Sequence, residues 1–292
     1  MRSPSSITGK AAGYFLGVIF VAVLALPTDA SARDLRLAVL APDNTANSRA
    51  YADGLSAAFA RSAEVLDSSL AASAYDAISP KTPFNMDIAE ARSIGTAIGC
   101  DFFILIKSDT LRRSSYEREE YYESYAAIYA VSSHTGRLVN WSNPKSESAK
   151  RSSSVDELRR SIGSTTGSLI KLLRSVSAAE AIEPKPPPID ELPPDGSPLT
   201  KEFRSPVPYR RIKPEYTSLA FLYEVAATVE IEMDLDAAGT ITRLEISRWA
   251  GYGLDESAEK AVRLMNWRPA ERGGKPLPMR VLLRYNFKKI DK

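Results

Sequence analysis

The chain has 292 residues, with 38 Lys and Arg against 36 Asp and Glu, 19 prolines, one cysteine and one histidine. A single hydrophobic core seldom grows past roughly 250 residues, so the length predicts two domains. A charged fraction of 25% with 13 Tyr and 9 Phe is typical of globular proteins and excludes a wholly disordered chain. The balanced charge argues against nucleic-acid binding, and Cys100 with His134 cannot supply the four ligands of a Cys/His zinc site.

The first 32 residues have the order of a secretory signal peptide. Arg2 and Lys10 precede an apolar run over 11–26, and the segment ends in Ala30-Ser31-Ala32. Sixteen residues at ~1.5 Å each reach ~24 Å, which is less than a ~30 Å hydrocarbon core. We therefore expect export and cleavage after Ala32. The alternative is an inner-membrane anchor through residues 11–26.

The N-terminal domain is predicted over 33–182 as an α/β sandwich with a mixed sheet. Apolar runs and helical spacings follow the order β-α-β-α-β-β-β-α. The predicted strands are 35–40, 64–67, 102–106, 121–131 and 137–141, and the predicted helices are 49–61, 87–98 and 155–176.

This layout resembles the N-terminal domain of TolB and the related periplasmic α/β domains of CsgG. The resemblance is carried by three segments: Leu37-Ala38-Val39-Leu40, the stretch Ala58-Phe59-Ala60-Arg61-Ser62-Ala63-Glu64-Val65-Leu66-Asp67, and Gly99-Cys100-Asp101-Phe102-Phe103-Ile104-Leu105. It covers about 110 residues, and no functional residue is carried over from it.

Residues 183–208 predict a linker. They contain nine prolines and almost no apolar residue, which favours an extended polyproline II segment.

The C-terminal domain is predicted over 209–292 with the order β-β-α-β. Within 228–236, apolar and acidic side chains alternate strictly from Val229 to Asp236, which predicts a strand with one buried and one wet face. The next strand, 240–247, changes parity between Ile241 and Leu244, which indicates a bulge. A helix opens at Leu254 and Asp255, and a long strand follows over 277–287.

These segments resemble the TonB C-terminal domain family, and together with the first half they give an α+β fold. Four islands carry the resemblance in the family's order: Lys213-Pro214-Glu215-Tyr216, Leu235-Asp236-Ala237-Ala238-Gly239-Thr240-Ile241, Gly253-Leu254-Asp255-Glu256-Ser257-Ala258 with Ala261-Val262, and Trp267-Arg268-Pro269-Ala270 followed by Gly274-Lys275-Pro276-Leu277-Pro278. The proline-rich segment ahead of them also fits the family.

The chain departs from the family pattern in places that bear on function. Tyr216-Thr217 stands where the family usually has Tyr-Pro, Ala227 where it has Gly, and Trp249-Ala250-Gly251 where it has Ser-Ser-Gly. TonB transducers also keep an N-terminal membrane helix that meets the motor proteins ExbB and ExbD. Here that helix is predicted to be cleaved, so the resemblance supports binding more than energy transduction.

The resemblance implies a peptide-binding site on the last strand. In TonB domains this strand accepts an extended peptide of an outer-membrane receptor as an added strand. In this sequence the face opposite the core would carry Arg280, Leu282, Arg284 and Asn286. A second interpretation, given equal weight, is that Arg280 and Arg284 are edge-strand charges that prevent aggregation.

No constellation of residues predicts an enzyme, a cofactor or a metal site. His134 lies in a Ser-His-Thr-Gly turn without a recognisable nucleophile or acid partner. Tyr121, Tyr125 and Tyr129 share one parity of a strand and are interpreted as a half-buried sheet face rather than a ligand site.

The sequence and the resemblance together predict a non-enzymatic periplasmic binding protein linked to envelope transport. Its expected partner is an outer-membrane receptor or another envelope protein, with a homodimer as a further possibility, and neither nucleic acid nor a small-molecule substrate is expected. The alternative is a structural or assembly protein of the cell envelope, whose N-terminal domain oligomerises or docks to the outer membrane.

Overall fold

The computed structural model describes residues 35–183, 189 and 203–289, all within one compact unit, Asp34–Lys292. The predicted signal peptide and most of the predicted linker lie outside the described residues. In the described ranges, none of the helices has both the length and the apolar character needed to cross a bilayer. We call residues 35–183 the N-terminal module and residues 203–289 the C-terminal module.

The N-terminal module contains the predicted mixed sheet, but with six strands instead of five, because the strand over 145–148 was not predicted. Its order is β2-β1-β3-β4-β5, and β6 pairs with β4 beside β5. The pairs β2-β1 and β1-β3 are parallel, and those from β3 onward are antiparallel. The strands are β1 (Arg36–Leu40), β2 (Glu64–Val65), β3 (Phe102–Arg113), β4 (Tyr121–Ser132), β5 (Leu138–Ser142) and β6 (Lys145–Ser148).

Five helices surround this sheet, and three of them differ from the sequence prediction. They are α1 (Ala46–Phe59), α2 (Ser68–Ile78), α3 (Ile88–Ile98), α4 (Arg151–Arg160) and α5 (Ile162–Glu180). Helix α2 was not predicted, because it buries only Ala71 and Tyr75 and leaves Leu70 exposed. The single predicted helix over 155–176 is two helices that meet at Ser161.

The two faces of the sheet are buried in different ways. Phe102, Ile104 and Ile106 of β3 pack in a cluster with α1 and α5. Phe103 and Leu105, on the other face, share a second cluster with α2, α3 and the C-terminal module. One hydrophobic core therefore runs from the N-terminal sheet into the C-terminal module.

The C-terminal module is built on a three-stranded antiparallel sheet of order β10-β9-β14, with α7 packed against β9 and β10. The predicted α+β class with this β-β-α-β arrangement is confirmed. The elements are β7 (Phe203–Arg204), β8 (Val207–Pro208), α6 (Ser218–Leu222), β9 (Ala227–Leu235), β10 (Ile241–Arg248), α7 (Leu254–Arg263), β11 (Trp267–Arg268), β12 (Ala270–Arg272), β13 (Lys275–Leu277) and β14 (Met279–Phe287).

Three local features differ from or refine the prediction. Strands β7 and β8 belong to the segment predicted as a linker, and they pair with β12 and β11. The long strand predicted over 277–287 begins as β14 at Met279, because Pro278 has no N–H to donate and separates it from β13. The bulge predicted in β10 is confirmed between Ile241 and Arg243, and a second lies between Ile246 and Arg248.

Six aromatic side chains join the two modules. We call them the aromatic joint: Tyr125, Tyr129 and Trp141 from the N-terminal sheet, and Tyr223, Trp249 and Tyr252 from the C-terminal module. Ring centroids are 4.5 Å apart for Tyr125 and Tyr223, and 4.6 Å apart for Trp141 and Tyr252. Tyr129 is 1% exposed and lies 5.8 Å from Trp249. Tyr125 and Tyr129 of the tyrosine stripe thus form the surface on which the C-terminal module packs, whereas Tyr121 lies outside the joint beneath Arg118.

Asn85 fastens the modules by hydrogen bonds beside the aromatic joint. Its Nδ2 donates to the carbonyl oxygens of Thr228 (2.8 Å) and Trp249 (2.7 Å), and its Oδ1 accepts from the Thr228 N–H (2.9 Å). The Trp249 N–H donates to the Met86 carbonyl oxygen at 3.2 Å. The Asn85 amide therefore takes the place of a strand residue next to the start of β9.

The turn before α7 is held by a buried carboxylate. Asp255 accepts the N–H groups of Ala250 (2.9 Å) and Gly251 (2.7 Å). Gly251 has a φ of +71°, and a Cβ there would lie 2.5 Å from Cδ1 of Trp141, so only glycine fits. Burial raises the pKa of Asp255 to about 7, although the two N–H donors lower it.

We predict that Asn85→Ala lowers the free energy of unfolding by about 2 kcal/mol. The substitution removes the partners of one N–H and two carbonyl groups that are largely shielded from water. Urea denaturation followed by tryptophan fluorescence measures the change. Asn47→Ala is the matched control, because Asn47 makes one long, exposed bond to Asp109 at 3.4 Å and should change stability by less than about 0.5 kcal/mol. Equal effects of the two variants would contradict the role of Asn85.

We predict that Asp255→Asn flattens the pH dependence of stability between about pH 4 and pH 7. The folded protein holds the Asp255 proton more tightly than the unfolded chain, whose carboxyl has a pKa near 3.8. This residue therefore makes the free energy of unfolding fall as pH rises through that window, and the fall ends above about pH 7. Urea midpoints of both proteins at several pH values give the difference, and a constant difference would contradict the prediction.

Candidate functional site

The last strand, β14, lies at the edge of its sheet. It is in register with β9 over nine residues, from Met279 opposite Leu235 to Phe287 opposite Ala227. Within residues 203–289 and the rest of the described chain, β14 has no second strand partner. The N–H and C=O groups that point away from β9 are therefore open for pairing over the length of the strand.

The four predicted site residues occupy alternate positions of β14, on the face opposite the one formed by Val281 and Phe287 in the core. Each lies directly opposite a polar residue of β9: Arg280 faces Asp234, Leu282 faces Glu232, Arg284 faces Glu230 and Asn286 faces Thr228. The Asn286 Oδ1 accepts a hydrogen bond of 2.8 Å from the Thr228 hydroxyl. Leu282 is apolar and cannot form a hydrogen bond or an ion pair with Glu232 opposite it, and it is 53% exposed.

Both arginines are held in cross-strand ion pairs. Nε and Nη2 of Arg280 donate to the two carboxylate oxygens of Asp234 at 2.7 and 2.9 Å. Nε of Arg284 donates to Oε1 of Glu230 at 2.6 Å. The Arg280 and Asp234 side chains are 18% and 6% exposed, whereas the Arg284 side chain is 61% exposed. Arg280 is thus fixed on the sheet, and Arg284 is paired at its margin.

The pairing continues across the whole sheet. On β10, Arg243 donates to Glu232 at 2.8 Å and pairs with Glu245, while Arg248 lies 3.5 Å from Glu230. We call this set the charge lattice: Glu230, Glu232, Asp234, Arg243, Glu245, Arg248, Arg280 and Arg284. Because opposite charges alternate between the strands, the lattice holds β14 and β10 in register with β9.

The sequence pattern predicted the face on which these residues lie but not their partners. The acidic residues of β9 were predicted to lie on a wet face, yet Glu230 and Asp234 are 8% and 4% exposed. Their burial follows from the bidentate and multiple contacts of the arginines. The sequence did show acidic residues at alternate positions of β9 and basic residues at alternate positions of β14. These patterns identify the ion pairs only when the register of the two strands is known.

Cys100 and His134 line one pocket together with Ser133 in the described part of the chain. Among the described residues, no three His, Cys, Asp or Glu side chains lie together as metal ligands would. Cys100 lies 3.3 Å from the Ser133 hydroxyl, and burial raises the pKa of its thiol to about 11, so the thiol stays protonated at neutral pH.

We predict that Arg280→Ala destabilises the fold by about 2–4 kcal/mol, whereas Arg284→Ala costs less than about 1 kcal/mol. The first change leaves the buried Asp234 carboxylate without its bidentate partner. The second removes a partly exposed pair, and Glu230 retains Arg248. Urea denaturation of both variants measures the costs. Comparable losses from the two would show that exposure does not set the strength of these pairs.

One protein-family model matches the chain, that of the Gram-negative bacterial TonB protein C-terminal region, over residues 212–288. No protein among the curated sequences is a significant match. The resemblance of the N-terminal module to TolB and CsgG stays a prediction.

Several solved structures are similar to parts of the chain at low identity. The TonB C-terminal domain of Pseudomonas aeruginosa, solved by NMR, is 16% identical, covers 36% of this chain and 97% of its own, and gives a TM-score of 0.27. A hypothetical protein of Chlamydia trachomatis is 9% identical over 50% of this chain and 95% of its own, with a TM-score of 0.31. A minor lipoprotein of Acinetobacter baumannii is 6% identical over 49% of this chain and 94% of its own, with a TM-score of 0.26.

The family model spans the elements from the segment before α6 to the end of β14, which is the sheet, helix and edge strand described above. The predicted resemblance is thereby confirmed for the C-terminal module: residues 212–288 match the model of the TonB C-terminal domain family.

Proposed function

We propose that this protein is a periplasmic binding protein that captures an extended segment of an outer-membrane or other envelope protein by strand addition to β14. The observation that carries the proposal is the open edge of β14, nine residues long, in a module of the TonB C-terminal family. The capture would serve transport across the outer membrane.

The backbone of β14 supplies the affinity in this proposal. Nine residues at ~3.3 Å each make an edge of ~30 Å, and every second residue directs its N–H and C=O groups outward. A guest strand that pairs with these groups replaces their hydrogen bonds to water. Because the charge lattice fixes β14 in register, little of the edge has to be ordered when the guest arrives.

The side chains of β14 supply selection. Leu282 offers an exposed apolar contact, and Arg284 offers a partly exposed charge. The same edge could pair with β14 of a second copy, which is the homodimer expected from the sequence as a further possibility. The role proposed is binding and not catalysis, and it needs neither a cofactor nor a small-molecule substrate.

The two modules share one core, which bears on how the proposed capture works. The C-terminal module is fastened to the N-terminal sheet through Asn85 and the aromatic joint. We therefore propose that β14 is presented at a fixed position relative to the N-terminal module, whose own expected role is to dock to a second envelope component.

A photo-crosslinking amino acid placed at position 282 of the full chain tests the proposal in the native cells. Position 282 lies on β14 with its side chain exposed. The expected result is a crosslink to one outer-membrane protein, identified by mass spectrometry, that maps to an extended segment of that protein.

Position 264 is the matched control. Leu264 is also exposed, at 59%, but it lies at the end of α7, away from the β14 edge. The proposal predicts no crosslink to the same protein from position 264. Equal crosslinking from both positions, or a crosslink from 282 only to a second copy of this chain, would contradict capture of an outer-membrane partner.

A further inference from the structure

A large cleft lies between the two modules, away from β14. Its volume is about 990 Å³, at the upper end of the range of ligand sites in proteins. Two strands line it, β5 of the N-terminal sheet and β10 of the C-terminal sheet. Each is the last strand of its sheet and, among the described strands, has an open edge.

The lining residues show that the strand edges, and not the sheet faces, form the cleft. A sheet face would contribute every second residue, because side chains alternate between faces. The cleft is instead lined by consecutive residues, 138–141 on β5 and 242–246 on β10. The unpaired backbone groups of both strands therefore border the same cavity.

An ion pair joins the two strands that line the cleft, and part of the lining is apolar. Nε of Arg137, just before β5, donates to Oε1 of Glu245 on β10 at 2.6 Å, and its Nη1 pairs with Glu183 at 2.7 Å. Apolar surface comes from Leu138, Trp141, Leu244 and Ile246. A guest could thus bury alternate apolar side chains while its backbone meets a strand edge.

The charge of the residues that line the cleft favours a guest peptide of opposite charge. Six carboxylates line the cleft and two guanidinium groups oppose them. Asp234 and Glu259 also bind Arg280 and Arg263, which lie outside the cleft, and Asp255 is occupied by backbone N–H groups. The remaining groups keep an acidic excess at Glu256, which is exposed on the α7 wall next to Glu259.

We propose that this cleft is a second strand-addition site, which takes an extended, proline-poor segment of a partner protein with Lys or Arg at alternate positions. Its backbone pairs with the edge of β5 or β10, its apolar side chains contact Trp141, Leu244 and Ile246, and its basic side chains lie beside Glu256 and Glu259. The segment that such an edge accommodates is about five residues, since β5 has five residues and spans ~17 Å.

The chain's own proline-rich segment is a poor match for this site. Residues 184–202 contain seven prolines, and each removes the N–H that pairing with a strand edge requires. The same segment has more acidic than basic residues, Asp190, Glu191, Asp195 and Glu202 against Lys185 and Lys201, so its charge is not complementary either.

The proposal is tested by fluorescence anisotropy with the full chain and a labelled heptapeptide of alternating Lys and Val. Two further probes are a Glu and Val heptapeptide of the same pattern and a Lys and Val heptapeptide with N-methyl groups at its valines. We expect binding of the first probe and at least ten-fold weaker binding of the other two, because one has the wrong charge and the other cannot donate backbone hydrogen bonds. Equal binding of the N-methylated probe would overturn strand addition.

Charge-reversal variants locate the probe. Glu256→Lys with Glu259→Lys should weaken binding roughly ten-fold, since both carboxylates line the cleft. Glu117→Lys with Glu119→Lys makes the same change of net charge on the exposed β3-β4 hairpin and should leave the affinity unchanged. Equal losses from the two double variants would mean that net charge alone attracts the probe, and would overturn the proposal.

A variant of β14 separates this site from the one proposed above. Leu282→Lys changes the β14 edge and should not alter binding of the basic probe. Loss of binding in Leu282→Lys alone would place the probe on β14 and remove the second site. Sedimentation of the free protein as a dimer that Glu256→Lys with Glu259→Lys dissociates would assign the cleft to a second copy, and would equally overturn the proposal.

Discussion

The burial of β4 constrains the whole molecule. Its Tyr125 and Tyr129 lie on a sheet face that α2 and α3 share with the C-terminal module, so the N-terminal sheet completes its core with residues more than 90 positions away. A buried aromatic ring removes roughly 150–250 Å² from water, equivalent to ~4–6 kcal/mol before conformational entropy is subtracted. The aromatic joint therefore accounts for the single compact unit, and the open edges of β5, β10 and β14 are what this packing leaves uncovered.

Elements with a strong periodic pattern could be predicted from the sequence, and weakly amphipathic or proline-containing elements could not. The alternation over 228–236 predicted β9, and the change of parity after Ile241 predicted its partner's bulge. Helix α2 escaped because Ala71 and Tyr75 are too few to mark a buried stripe. Strand β8 was not predicted, because the φ that proline imposes is compatible with both polyproline II and an edge strand. The sequence around Pro208 therefore did not indicate its pairing with Trp267.

For the candidate site, local sequence specified residue types and faces, and the tertiary structure specified partners. Parity alone put Arg280 and Arg284 on the outer face of the last strand, but their pairing with Asp234 and Glu230 depends on a register that no local pattern encodes. No pattern in the sequence indicated the role of Asn85 between the modules. It is a loop residue 143 positions before Thr228, and its amide acquires a role only when two distant segments meet. The cleft between β5 and β10 likewise exists only because the modules share a core.

The ladder between β9 and β14 has a mechanical consequence. The strands are antiparallel and in register over nine residues, so tension along β14 acts on all of their hydrogen bonds in shear, whereas a perpendicular force would open them one at a time. Thr228 lies opposite Asn286 near the end of this ladder, and its backbone is hydrogen-bonded to Asn85 of the N-terminal module. A force on β14 would therefore reach the N-terminal module through the hydrogen bonds between Thr228 and Asn85.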